Sequence, residues 1–120
     1  MACSETNTSK PKDVYKYWSG ANPPKDMELL QGKYWQSAHW THEYIMYLKI
    51  IPRKEWWTTF INQNELRVVK ENWIKPSDCP EWFNPPKSAL MYAGDAEFDQ
   101  GTRCFLDEES GICYLYVIQL

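Results

Sequence analysis

No apolar run in the chain approaches the ~20 residues that a bilayer-spanning helix needs. The longest, Tyr44 to Ile51, is short and carries Lys49. Cys-x-x-Cys and Gly-x-Ser-x-Gly are both missing, as are a phosphate-cradling glycine loop and a dinucleotide fingerprint. Their absence removes the usual signatures of thiol redox chemistry, serine hydrolysis and nucleotide binding. Basic clusters are missing as well. The 13 Lys and Arg residues stand singly or in small groups such as Lys10/Lys12 and Arg53/Lys54, on a chain of net charge −3. Phosphate backbones need clustered cations, so nucleic acid is excluded as a partner. Histidine is scarce: His39 and His42 are the only two. They lead into a segment that reads as strand, where positions three apart point to opposite sides, and zinc needs at least three well-spaced ligands.

What is present is an ordinary globular composition, with 120 residues, 43% of them hydrophobic and 24% charged. That length suits one domain and lets it bury about two-thirds of its surface. Aromatic residues are in surplus, with seven tryptophans and eight tyrosines. Residues 1–12 are polar and carry nothing able to pack, so they are expected to be a disordered tether ahead of a single domain over 13–120. Within the tether, Ala2-Cys3-Ser4 resembles the start of a mature bacterial lipoprotein. The resemblance implies a lipid on Cys3, export, and a cell-envelope or periplasmic location, the membrane surface being reached only through that lipid. The alternative is a cytoplasmic protein in which Cys3 is an incidental thiol.

Periodicity gives the elements. Asp13 to Gly20 reads as a short helix capped by Asp13, with Val14, Tyr17 and Trp18 on one face and Gly20 as terminator. Met27 to Ser37 reads as a strand with a bulge at Gly32. Trp40 to Pro52 alternates, with Trp40 and residues 44, 46, 48 and 50 forming the packed face. Arg53 to Asn64 reads as a helix whose stripe is Trp56, Trp57, Phe60 and Ile61, ended by a left-handed Asn64 with Leu66 folding back. Leu66 to Trp73 reads as a strand, Pro76 to Phe83 as a single helical turn, and Ala89 to Ala93 as a short strand. Thr102 to Leu106 and Ile112 to Leu120 close as a hairpin. The expectation is an α+β domain with a mostly antiparallel sheet of about five strands, one main helix and a short N-terminal helix packed on it.

The hairpin bears on Cys104 and Cys113. A four-residue loop of Asp107 to Ser110 sets the two cysteines directly opposite, where they could bridge. A five-residue loop ending at Gly111 offsets them by one and points them to opposite faces, and two free buried thiols are the third option.

Candidate sites come from the aromatics and the acids. Trp56, Trp57 and Phe60 have core spacing. Trp35, Trp73 and Trp82 do not, and as exposed rings they would form a patch for a protein or carbohydrate ligand. Asp95, Glu97 and Asp99 alternate before Gly101 and resemble the opening of an EF-hand calcium loop. The glycine and bidentate glutamate that such a loop requires are replaced by Gln100 and Leu106, so an acidic edge without a cofactor is the simpler reading and a weak calcium site the alternative. Together these features lead to a non-catalytic binding domain. A carboxylate-dependent sugar hydrolase and a small acidic immunity-type inhibitor acting by charge complementarity are the alternatives.

Overall fold

The structure is a computed structural model of the chain, described over residues 5–38, 43–95 and 101–119. Along the chain run β1 (Thr6–Thr8), α1 (Pro11–Ser19), β2 (Glu28–Gln36), β3 (Tyr44–Ile51), α2 (Lys54–Gln63), β4 (Arg67–Val69), β5 (Leu90–Ala93), β6 (Arg103–Asp107) and β7 (Ile112–Gln119). The strands form one sheet in the order β1-β2-β3-β7-β6-β5-β4, with every neighbouring pair antiparallel. The class is the α+β expected. The sheet has seven strands among the described residues rather than about five.

One strand that periodicity does not give, β1, comes from the polar leader. Thr6–Thr8 pairs with Tyr34–Gln36, and α1 starts at Pro11, so much of the stretch read as tether is folded. An edge strand needs main-chain donors and acceptors rather than apolar side chains, which is why hydrophobicity gives no sign of it. The α1 N-cap is Lys10, without a side-chain cap bond, and Pro11 opens the helix, where its missing N–H costs nothing. Asp13 lies inside the first turn, favourably placed for the helix dipole, instead of capping it.

Both helices cover one face of the sheet. Val14 and Tyr15 of α1 and Trp57 of α2 are buried against Tyr34, Met46, Leu48, Ile50, Cys104, Cys113 and Leu115. In α1 the inner face is Val14, Tyr15 and half-buried Trp18, whereas Tyr17 is 54% exposed. Gly32 is where α1 meets β2. A methyl there would lie 3.0 Å from Val14 Cγ2 and 3.2 Å from the Pro11 backbone, so glycine sets the approach. The β2 irregularity falls between Leu29 and Gln31, not at this glycine.

The other face is covered too, by chain without helix or strand. Residues 70–89 cross it, carrying Trp73, Trp82 and Phe83 onto Tyr47, Phe105, Tyr114 and Tyr116. Regular pairing ends at Val69, so the strand expected to reach Trp73 is three residues long. The expected helical turn is two successive tight turns, Cys79 N–H to Pro76 O and Phe83 N–H to Pro80 O. Pro80 has no N–H and cannot continue a helical ladder from the first turn. The pattern recurs at Pro86–Ala89 and at Pro24–Met27. In each case proline supplies the accepting carbonyl, and the fourth residue (Met27, Cys79, Phe83 or Ala89) turns inward. Polar links fix the crossing: Tyr47 Oη donates to Asp78 Oδ1 at 2.8 Å, Lys33 Nζ donates to Asp78 O at 3.0 Å, and the Arg103 guanidinium pairs with Glu71.

In the β6–β7 hairpin the last pair is Asp107↔Ile112, leaving a loop of residues 108–111. Gly111 takes the left-handed conformation at φ 75°, and its N–H donates to Asp107 O at 2.8 Å. This shift of the loop by one residue places Cys104 opposite Leu115 and Cys113 opposite Leu106. The two cysteines therefore share a face as diagonal neighbours, and both are buried free thiols. Stability does not draw on a bridge between them.

Candidate functional site

A cleft of about 370 Å³ opens at the end of the sheet where β3 begins and β7 ends, between the C-terminal ends of the two helices. Trp18 of α1, Phe60 of α2 and Leu66 just beyond it supply apolar surface, with Tyr44 and Val117 from the strands. Trp18 and Phe60 meet edge to face, with centroids 5.7 Å apart. Tyr44 ends a ladder of stacked phenols, Tyr17 on Tyr34 at 5.3 Å and Tyr34 on Tyr44 at 5.7 Å. Burial raises the Tyr34 and Tyr44 hydroxyls above the ordinary phenol range, with the neighbouring Tyr44 and Tyr17 adding to the effect at Tyr34. Tyr44 therefore lines the cleft as a neutral hydrogen-bonding group, while the buried Tyr34 hydroxyl donates to Gln36 Oε1 at 2.9 Å.

The polar rim depends on how α2 ends. Leu66 N–H donates to Ile61 O and Glu65 N–H to Asn62 O, the paired bonds of a Schellman cap. Such a cap needs a left-handed residue one beyond the helix end. Asn64 has φ −97° and is not that residue; Glu65, at φ 51°, is. It is the one non-glycine residue with positive φ among those described. A side chain in this region costs about 1–2 kcal/mol that glycine would avoid. The cap thus holds the exposed carboxylate of Glu65 at the cleft. Across the opening, Asp95 follows β5 and Gly94, and Thr102 and Gln119 complete the rim.

The three tryptophans singled out from sequence lie elsewhere. Trp73 and Trp82 are half-buried beneath the 70–89 crossing, at 6.0 and 6.1 Å from the Phe83 ring. Trp35 is paired with Ile45 on the same outer face, which is opposite the Tyr34 side of β2. The structure brings Trp73 and Trp82 together around Phe83 and sets all three rings apart from the cleft. Trp18, Tyr44 and Phe60 carry the helical-stripe and strand-alternation signals of core residues, and Glu65, between α2 and β4, carries no sequence signal of its own.

The acids divide. Asp95 is at the cleft, while Glu97 and Asp99 lie outside the described residues, as do His39, His42 and Cys3. Asp107, Glu108 and Glu109 sit at the far end of β6, where the Asp107 carboxylate accepts from Ser110 Oγ at 2.6 Å within the turn. Among the described residues no three His, Cys, Asp or Glu side chains group as metal ligands. Burial pushes the Cys79, Cys104 and Cys113 thiols upward, so none is a ready thiolate nucleophile. No helix among the described residues is long and apolar enough to cross a membrane. Comparison of the chain with protein-family models, curated proteins and solved structures finds no match in any of the three.

Proposed function

We propose that this chain is a binding domain and that its ligand seats in the cleft between Trp18, Phe60 and Glu65. The observation that carries the reading is the conformation of Glu65. A residue held in a sparsely populated region at the edge of a cleft, where glycine would be more stable, is the pattern of strain kept for a site. Aromatic floor and polar rim together are the composition of a ligand cleft. Binding is favoured over hydrolysis because Glu65 and Asp95 are both exposed. A general acid for glycoside cleavage needs a carboxyl seated in apolar surroundings, which raises its pKa toward neutrality.

Glu65→Gly separates the two roles of that residue. The variant is expected to gain about 1 kcal/mol of stability, a rise of several degrees in Tm. It is also expected to bind less well any compound that shifts the Trp18 indole resonance in a screen of neutral fragments by nuclear magnetic resonance. Fragments that move only Trp73 or Trp82 would place the site on the other face and end the proposal.

The setting proposed is a cell-envelope surface, with Cys3 as lipid carrier. Because β1 begins at Thr6, only Ser4 and Glu5 separate Cys3 from the sheet, and a lipid there holds the β1 edge within about 10 Å of the membrane. Intact mass of the protein isolated from membranes of its native host should include a diacylglyceryl group. An unmodified chain beginning at Met1 rules the anchor out.

A further inference from the structure

A second, smaller groove of about 190 Å³ lies between the two helices, and Trp18 and Phe60 line both it and the main cleft. Tyr15, Ser19, Trp56, Thr59 and Gln63 complete its surface. The Trp56 ring stacks on Phe60 at 5.1 Å, and its Nε1 donates to Tyr15 Oη at 3.2 Å. From Trp56 through Phe60 to Trp18 the rings form one continuous track that connects the two depressions. We propose that the ligand is a neutral oligosaccharide lying along this track, with sugar rings in both depressions; the inference rests on the binding role of the cleft.

Charge narrows the ligand first. Among the described residues no lysine, arginine or histidine lines either depression, and Glu65 and Asp95 are the charged groups of the main cleft. Phosphate, sulfate and carboxylate ligands need a cation or a nest of N–H donors, so nucleotides, phospholipid headgroups and acidic sugars do not suit the site. A cationic ligand would suit the carboxylates but leaves the helix groove, which carries no acid, without a part in binding. A neutral ligand uses both.

Shape and hydrogen-bonding chemistry narrow it further. Two adjoining depressions across a shared aromatic ridge match a chain of repeating units better than a single compact molecule. The groove residues all belong to helices, whose central backbone groups are bonded internally, so an extended peptide would find no main chain to pair with. Sugars need no such pairing. The apolar faces of pyranose rings lie on aromatic rings, and their hydroxyls, each both donor and acceptor, match the hydroxyl of Thr59 and the amides of Gln63 and Gln119. Asn64 keeps its Oδ1 for this use, since its Nδ2 already donates to Phe60 O at 2.8 Å. The carboxylate of Glu65 accepts from sugar hydroxyls more strongly than a neutral group would.

The test uses the full chain and the indole resonances of its tryptophans. The probes are hexasaccharides of glucose, xylose, mannose and N-acetylglucosamine with the matching monosaccharides, alongside the neutral fragment screen. At least one hexasaccharide should shift Trp18 and Trp56 together and saturably while leaving Trp73 and Trp82 in place. It should bind about tenfold or more tighter than its monosaccharide, the effect of a second occupied subsite. Gln63→Ala, a change at an exposed residue that lines only the helix groove, should weaken the hexasaccharide about 3–10-fold, the effect of one hydrogen bond. Equal affinity for hexasaccharide and monosaccharide, or a response confined to Trp18, overturns the two-subsite track. Fragments that shift Trp18 while every saccharide fails leave the cleft a binding site but for another ligand class. Failure of both sets at Trp18 removes the cleft reading itself.

Discussion

Replacing Phe83 by alanine is expected to cost the domain about 3–5 kcal/mol and to lower Tm by about 10–20 °C. Phe83 is fully buried, and its ring packs edge to face on Tyr47 at 5.2 Å and on Tyr114 at 5.6 Å. Around it gather Trp73, Trp82 and Phe105, so truncation leaves a cavity walled by rigid rings that cannot easily collapse into it. The loss should also be local in origin. Residues 70–89 have no strand or helix to hold them, and their turn bonds at Cys79, Phe83 and Ala89 depend on the crossing staying seated. Hydrogen exchange should show those amides losing protection first, ahead of β3 and β7, whose inner face packs under the helices. Trp82→Ala is the comparison. That ring is only half-buried and meets Phe83 at 6.1 Å, so its removal should cost well under half as much. A Phe83→Ala penalty below about 1 kcal/mol, with exchange unchanged across 70–89, would mean that the crossing contributes little to the fold.

This second layer is also where sequence reasoning ran short. Met46, Leu48 and Ile50 were legible as one face of a strand, and Trp56, Trp57, Phe60 and Ile61 as a helical stripe, because both follow a fixed period. The opposite face of β3, with Ile45 and Tyr47, reads from alternation as the wetter side of a sheet packed on one face only, and the structure covers it as well. Its cover has no period. It is built from turns of the form proline, two residues, then an inward residue, visible as Pro76-Ser-Asp-Cys79, Pro80-Glu-Trp-Phe83 and Pro86-Lys-Ser-Ala89. That spacing was available to be read. β1 was not, since Thr6–Thr8 is held by main-chain bonds to β2, to which its side chains give no clue. The hairpin register turned on a single residue. Counting Gly111 as the last member of a four-residue loop, with its positive φ, sets Cys104 against Leu115. The cleft was legible only in parts: Asn64 and Leu66 announced the end of α2, but the left-handed position fell to Glu65, where composition gives no warning.

Between pH 9 and 11 the domain is expected to lose about 5 kcal/mol of its stability, with unfolding centred between about pH 10 and 11.5. Cys104 and Cys113 are fully buried on the helix-covered face, and burial pushes both thiols up, Cys113 to about 12 and Cys104 further, the latter helped by its neighbour Cys113. In the unfolded chain a thiol titrates near 9.0. Below that pH both states keep the proton, and the full stability is present. Above it the unfolded state releases protons that the folded state retains, so stability falls by about 1.4 kcal/mol per pH unit for each group. The fall continues until the pH passes the folded values. For the two thiols together this amounts to about 5 kcal/mol by pH 11, against a total of about 5–15 kcal/mol for an ordinary domain. Buried phenols act in the same direction from pH 10.0 upward. Tyr47 is raised by burial and by its bond to Asp78, and Tyr114 and Tyr116 beside it are raised chiefly by burial. Circular dichroism followed against pH under reducing conditions should place the midpoint between about pH 10 and 11.5. Replacing both cysteines by alanine should lower stability at neutral pH but remove the decline between pH 9 and 10, leaving the tyrosine-driven loss above it. A transition beyond pH 12, or an unchanged slope in the double variant, would show that these thiols do not hold their protons in the folded state as their burial requires.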